Sequence, residues 1–164
     1  MDGRSRTGGV DHGPDDRRLR GRGGASRRGL PAHAARAVIS LDRRDGRPLV
    51  IGHRGAAALA PENTLASFRA ARAAGVDLIE FDVLSLRDGE LVIAHSDDLH
   101  EVTHGAAVGD VGSLLLADLR GLAPDLLTLD ETLAFFADEA LEVGVHVDLK
   151  SASALAGVAR ALGR

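Results

Sequence analysis

What most limits the fold of this chain is that its short β-rich runs end on chemistry. Leu49-Val-Ile51 runs into Gly52-His53-Arg54-Gly55, Leu91-Val-Ile-Ala94 runs into His95, and Val145-His-Val-Asp-Leu149 runs into Lys150. A fourth run, Val76 to Leu84, is apolar except where Asp77, Glu80 and Asp82 interrupt it. Helical patterning lies between them. Asn63 or Thr64 can cap a helix reaching about Ala74, with Leu65, Phe68 and Arg72 at helical spacing and Gly75 as its stop. Strands alternating with helices call for an α/β architecture, and in such folds strand C-termini are where sites are built.

Local signals place the remaining elements. Asp88-Gly89 between two β-rich runs is a hairpin signal, since a parallel crossover would need a dozen or so residues. With Asp88-Gly89 as a two-residue loop, Arg87 pairs with Glu90, Leu84 faces Ile93, and Asp82 faces His95. Thr128-Leu-Asp-Glu131 is a capping box opening a helix through Leu133 and Phe136 to about Leu141, with Gly144 just past its end. Ser151 or Ser153 can open a last helix ending at Gly163.

Charge divides the chain near Pro48. Residues 1–47 hold twelve Arg and six Asp, a balance of +6, whereas residues 48–164 hold eight Lys plus Arg against eighteen Asp plus Glu, a balance of −10. The first part shows no apolar periodicity before Ala37-Val-Ile-Ser-Leu41 and is expected to be a disordered tail or an overextended start. Six interspersed aspartates and no aromatic platform argue against a nucleic-acid arm. No apolar run approaches the roughly 20 residues of a membrane helix, and no apolar stretch follows the charged N-terminus, so a cytoplasmic protein without membrane insertion is expected. With no cysteine there is no disulfide, thiolate metal site or cysteine nucleophile. The only aromatics are four Phe, so a core of Leu, Val, Ile and Ala is expected.

The strand-end residues suit one kind of reaction. Glu80 and Asp82 lie two apart on a strand and face the same side, and hard carboxylate oxygens without thiolates favour Mg²⁺ or Ca²⁺ over zinc. Two carboxylates inside an apolar strand would be costly to bury without a cation. Two histidines titrating near neutrality can divide acid and base duties. Together they can supply charge neutralisation, a base for a nucleophile and an acid for a departing oxygen. Glu62 and Asn63 suit a helix start. His100 and His104 fall in a polar loop and are read as solvent-facing, while His146 shares the face of Asp148.

The His53-Arg54-Gly55 strand end, the Pro61-Glu-Asn-Thr64 segment, the Glu80-Phe-Asp82 pair and His95 after a strand resemble the glycerophosphodiester phosphodiesterase family, in order, from about Leu49 to Lys150. The resemblance implies a (β/α)8 TIM barrel that uses one divalent cation to hydrolyse small-molecule glycerophosphodiesters to an alcohol and glycerol 3-phosphate. It implies His53 and His95 as the acid/base pair, Glu80, Asp82 and Asp148 as metal ligands, and Arg54 and Lys150 as phosphate contacts. A related barrel chemistry would instead release a cyclic phosphate.

Two departures stand out. The family commonly has Asp directly after the second histidine and Arg-Thr-Thr farther on, where this chain has Ser96 and Glu101-Val102-Thr103. The family also continues through four further strands beyond the one holding Asp148 and Lys150. A complete barrel takes about 250 residues, so these 164 make a partial barrel, roughly its first half at residues 48–164. A half barrel exposes two sheet edges, to be closed by a homodimer or by the missing C-terminal half. A catalytically silent remnant is the competing expectation.

Overall fold

A computed structural model describes residues 41–42 and 46–163. The tail expectation for residues 1–47 therefore falls almost entirely outside the described residues. Within them the order is β1 (Ile51–Gly52), α1 (Leu65–Ala73), β2 (Leu78–Ser85), β3 (Leu91–Ile93), α2 (Leu99–Val102), α3 (Leu116–Leu122), α4 (Leu129–Glu139), β4 (Gly144–Leu149) and α5 (Leu155–Leu162), with 3₁₀ turns before α3 and α5. Among the described residues no helix is long and apolar enough to cross a membrane.

Every strand pairs with β2. β4 runs parallel along one edge from Leu78 to Val83, while β1 runs parallel along the other for only Leu78 and Ile79. β3 returns antiparallel and takes up that second edge at Val83–Ser85. Glu80 to Asp82 thus sits in the interval between the end of β1 and the end of β3. Two chain segments arriving from opposite directions deliver their next residues to the same place.

The hairpin forms as expected, but its register differs by one residue. Val83 faces Ile93 and Leu84 faces Val92, so the loop has three residues, Arg87 to Gly89, and Asp82 stands opposite Ala94. A two-residue loop of the Asp-Gly kind needs left-handed backbone at both positions. Here only Gly89 takes it, at φ +85°. Asp88 instead spends its carboxylate on backbone amides, accepting from Leu116 N at 2.9 Å and Glu90 N at 3.3 Å.

The parallel set is three strands, because β3 is the returning arm of a hairpin. Four further strands would bring it to seven, one short of an eight-stranded barrel. The first and fourth helices keep their expected starts, whereas α5 begins at Leu155 after Ala154, with Ser151 preceding only the 3₁₀ turn Ala152–Ala154. Thr64 rather than Asn63 caps α1, and both bonds of the Thr128–Glu131 capping box form. Gly144 is the first residue of β4 rather than a helix stop, and α4 ends at Glu139.

The core is centred differently from expectation. All four Phe, at 68, 81, 135 and 136, meet between α1, β2 and α4 with ring centroids 5.2–6.0 Å apart. Aliphatic residues such as Ile79, Val83 and Leu129 pack around this cluster. A second, wholly aliphatic core, including Leu84, Val92, Leu99 and Leu119, lies beneath the hairpin and the α2–α3 segment. With few aromatics, concentrating them where two helices cross the central strand gives the largest buried area per residue.

Candidate active site

The site begins with backbone that side chains do not normally tolerate. After β1 ends at Gly52, Arg54 takes φ +52° and Gly55 φ +84°. A Cβ on Gly55 would lie 2.4 Å from Ser67 Oγ, so α1 packs onto the bare glycine. This turn is pinned to β2, since Arg54 N donates to Glu80 Oε2 at 2.8 Å and Gly55 N to Glu80 O at 3.2 Å. The Pro61–Thr64 segment then closes over it. Asn63 N donates to Arg54 O at 3.0 Å, and Ser67 Oγ donates to the same oxygen.

Those contacts explain why the two motifs occur together, and they correct the reading of Glu62 and Asn63 as a helix start. Asn63 is buried at φ +57°, and its Nδ2 donates to Asp82 Oδ2 at 2.9 Å. Glu62 Oε1 accepts from the Arg54 guanidinium at 2.7 Å. A buried amide on a site carboxylate is a positioning role that helix-start statistics cannot reveal. The available signal was a left-handed-tolerant Asn placed before the cap instead of at it.

Parallel pairing supplies the carboxylates. Asp82 stands opposite Asp148 on neighbouring strands, and Glu80 lies two residues before Asp82 on the same face. One ligand oxygen from each of Glu80, Asp82 and Asp148 lies within 4.8 Å of the others. Glu80 and Asp82 are buried, whereas the Asp148 side chain is half-exposed. Lys150 bridges the set, with Nζ 3.0 Å from Asp82 Oδ1 and 2.7 Å from Asp148 Oδ2. Its hydrogen bond holds the Asp148 carboxyl below its usual range, with smaller help from His146 and His95. Reciprocally, Asp148 and then Asp82 raise the Lys150 ammonium.

The histidines flank this cluster. His53 reaches Glu80 Oε2 at 4.0 Å with its side chain 72% exposed. His95 follows β3, and its Nδ1 is 3.7 Å from Glu101 Oε1. His100 and His104 are exposed, as expected, though His100 lies on α2 and not in a loop. Arg54 places its guanidinium Nε 3.4 Å from Asp82 Oδ2. The sequence-derived residues therefore gather at one rim, just past β1, midway along β2 and at the end of β4, with the hairpin returning His95 to it.

Residues 53–157 match the model of the glycerophosphoryl diester phosphodiesterase family. The chain belongs to that family. It is 38% identical over 121 residues to a Mycobacterium tuberculosis protein named "Probable glycerophosphodiester phosphodiesterase 1", covering 64% of this chain and 43% of the relative. A Bacillus subtilis glycerophosphodiester phosphodiesterase is 37% identical over 76 residues, 46% of this chain and 25% of that protein. Among solved structures, an Oleispira antarctica phosphodiesterase in complex with its product sn-glycerol-3-phosphate superposes with a TM-score of 0.60 at 29% identity, covering 71% of this chain and 52% of the other. The chain thus spans less than half the length of these curated relatives, and the family's TIM-barrel fold is present in part.

The donor set fits a divalent cation. Three carboxylate oxygens converge from two adjacent strands, two of them on buried residues, and they offer the hard ligands that Mg²⁺ and Ca²⁺ accept. Buried carboxylates of like charge this close repel unless a cation sits among them, and Lys150 already marks where positive charge is wanted.

Proposed function

We propose that this rim hydrolyses glycerophosphodiesters to an alcohol and glycerol 3-phosphate. The observation that carries the reading is the convergence of Glu80, Asp82 and Asp148 within 4.8 Å, flanked by His53 and His95. Glu80, Asp82 and Asp148 would hold Mg²⁺ or Ca²⁺, which would neutralise charge on a phosphoryl oxygen when bound. Arg54 and Lys150 bring two further positive charges to the diester phosphate. One histidine takes a proton from the attacking water as its oxygen bonds to phosphorus. The other gives a proton to the alkoxide oxygen as the second P–O bond breaks, so neither product leaves as a strong base. Asn63 and Glu62 act through the carboxylate and guanidinium that they hold. A cytoplasmic location and a second half completing the barrel, from another copy or from further chain, belong to the same reading.

Two findings support it: the family match covers every residue used, and an Oleispira antarctica phosphodiesterase of similar fold is in complex with its product sn-glycerol-3-phosphate. The test is incubation with glycerophosphocholine and Mg²⁺ or Ca²⁺, assayed for glycerol 3-phosphate. Expected is metal-dependent release that His53→Ala abolishes. A folded chain that releases nothing, and that no cation stabilises, would establish the silent remnant instead. Release of a cyclic phosphate would show transfer within the substrate in place of hydrolysis.

A further inference from the structure

His95 reaches the rim on backbone that is fixed from both sides. Ala94 N donates to Asp82 O at 3.2 Å and Ile93 N to Leu127 O at 2.8 Å, so the strand end carrying the imidazole is held between β2 and the segment before α4. The ring itself is held unevenly. Its side chain is 36% exposed, yet Nδ1 has no accessible surface and no hydrogen-bond partner, so the ring shows its Nε2 edge outward. Buried polar atoms are normally paired, and the acceptor brought against this one is Glu101 Oε1, 3.7 Å away. Among the described residues that is the only ion-pair contact His95 makes.

The turn that presents Glu101 is anchored in its own right. The cap of α2, Asp98, accepts from His100 N at 2.9 Å, and Leu99 is buried in the aliphatic core. Thr103 Oγ1 ties the exit, donating to Leu99 O at 2.7 Å and accepting from Ala107 N at 3.0 Å. Ser96 Oγ and Asp98 Oδ1 are engaged by backbone amides of the same segment, whereas the Glu101 carboxylate has no other side-chain partner among the described residues. Glu101 stands where the family commonly has Arg, a side chain with no acceptor, so the pairing is this chain's own.

We propose that Glu101 is a positioning residue for His95. Its carboxylate accepts the Nδ1–H, which fixes the neutral imidazole as the Nδ1-protonated tautomer and leaves the Nε2 lone pair facing the rim. The partner of one ring nitrogen decides where the proton sits. The 3.7 Å separation closes to hydrogen-bond length by rotation of the exposed Glu101 side chain, and such contacts often tighten only when substrate is bound. Glu62 and Asp125 line the same cavity as His95, and Asp148 interacts with it from β4, yet of these carboxylates only Glu101 comes within ion-pair reach. The role in catalysis rests on the phosphodiesterase reading of the rim, whereas the tautomer does not.

Long-range proton–nitrogen correlation NMR of the full chain reads the tautomer directly, at a pH where the imidazoles are neutral and with His95 assigned by its loss in His95→Gln. Wild type is expected to show the Nδ1–H form, and Glu101→Ala and Glu101→Arg the Nε2–H form. Glu101→Gln, which keeps an acceptor oxygen, restores the Nδ1–H form. Glu101 is exposed, so all three variants keep the fold. With Mg²⁺ and glycerophosphocholine, kcat is expected to fall about tenfold in the alanine and arginine variants, a share of the roughly 10²–10⁴-fold that a positioned proton-transfer group supplies. KM changes little, and the glutamine variant recovers part of the loss. An Nε2–H signal in wild type, or a tautomer that stays the same without Glu101, overturns the proposal. A tautomer that follows Glu101 in a chain that cleaves no diester leaves the pairing standing and overturns the hydrolytic reading. Metal-dependent cleavage that is indifferent to Glu101 does the reverse.

Discussion

At the scale of single residues, the site depends on a few side chains and one missing side chain. Gly55→Ala places a Cβ into Ser67 at a left-handed φ, and is expected to destabilise the chain by more than about 2 kcal/mol, read as a lowered urea midpoint. Asn63→Gly keeps the left-handed backbone but frees Asp82, and should weaken cation affinity by about tenfold or more in calorimetric titration, as lost support of a ligand usually does. Asp77 resolves the third interruption of β2: it is buried, accepts from Arg47 Nη1 at 2.7 Å and Val50 N at 2.8 Å, and plays no part in the rim. Its neighbours Glu80 and Asp82 looked the same in the sequence. Spacing separates them, because Asp77 precedes the strand and is three residues from Glu80, whereas Glu80 and Asp82 lie two apart on one face of it.

Elements were legible where their instructions are local. The Thr64 and Thr128 caps, the stop at Gly75 and the Asp88-Gly89 turn each act within a few residues, and those elements form where expected. Thr128→Ala should cost about 1 kcal/mol. The Arg120 guanidinium, then the Thr128 amide, hold the Glu131 carboxyl below its usual range. Its pKa is lower folded than unfolded, so its contribution is present above the unfolded value and lost as pH falls through the folded one. Urea melts of wild type and Glu131→Gln should therefore differ near neutrality and converge in acid. Helix α3 was illegible for the opposite reason. Leu115 offers it no side-chain cap, and the carboxylate that serves its first turn is Asp88, 28 residues earlier on the hairpin tip. That bond spans 28 residues, beyond what local patterning can show.

Across the whole molecule, a cation held by Glu80, Asp82 and Asp148 would join strands that are distant in sequence. Saturation with Mg²⁺ or Ca²⁺ at a hundred times the dissociation constant should stabilise the fold by about 2.7 kcal/mol, measured as a shift in melting temperature that Asp82→Asn removes. Which strands would meet could be read as a rim of strand ends, but their neighbours could not. That β1 and β3 would share one edge of β2 depends on β1 being two residues long, and strand length is set by packing and not by propensity alone. Because every strand pairs with β2, that strand also governs the order of events in folding. Nothing at the rim can assemble before β2 has condensed, with the nearby β3 closing quickly and β4, some sixty residues on, closing late. Phe81→Leu should accordingly slow refolding in stopped-flow traces more than it speeds unfolding, whereas Val147→Ala should chiefly speed unfolding. On that order, Glu80, Asp82 and His95 would be placed by the local hairpin before Asp148 and Lys150 arrive with β4.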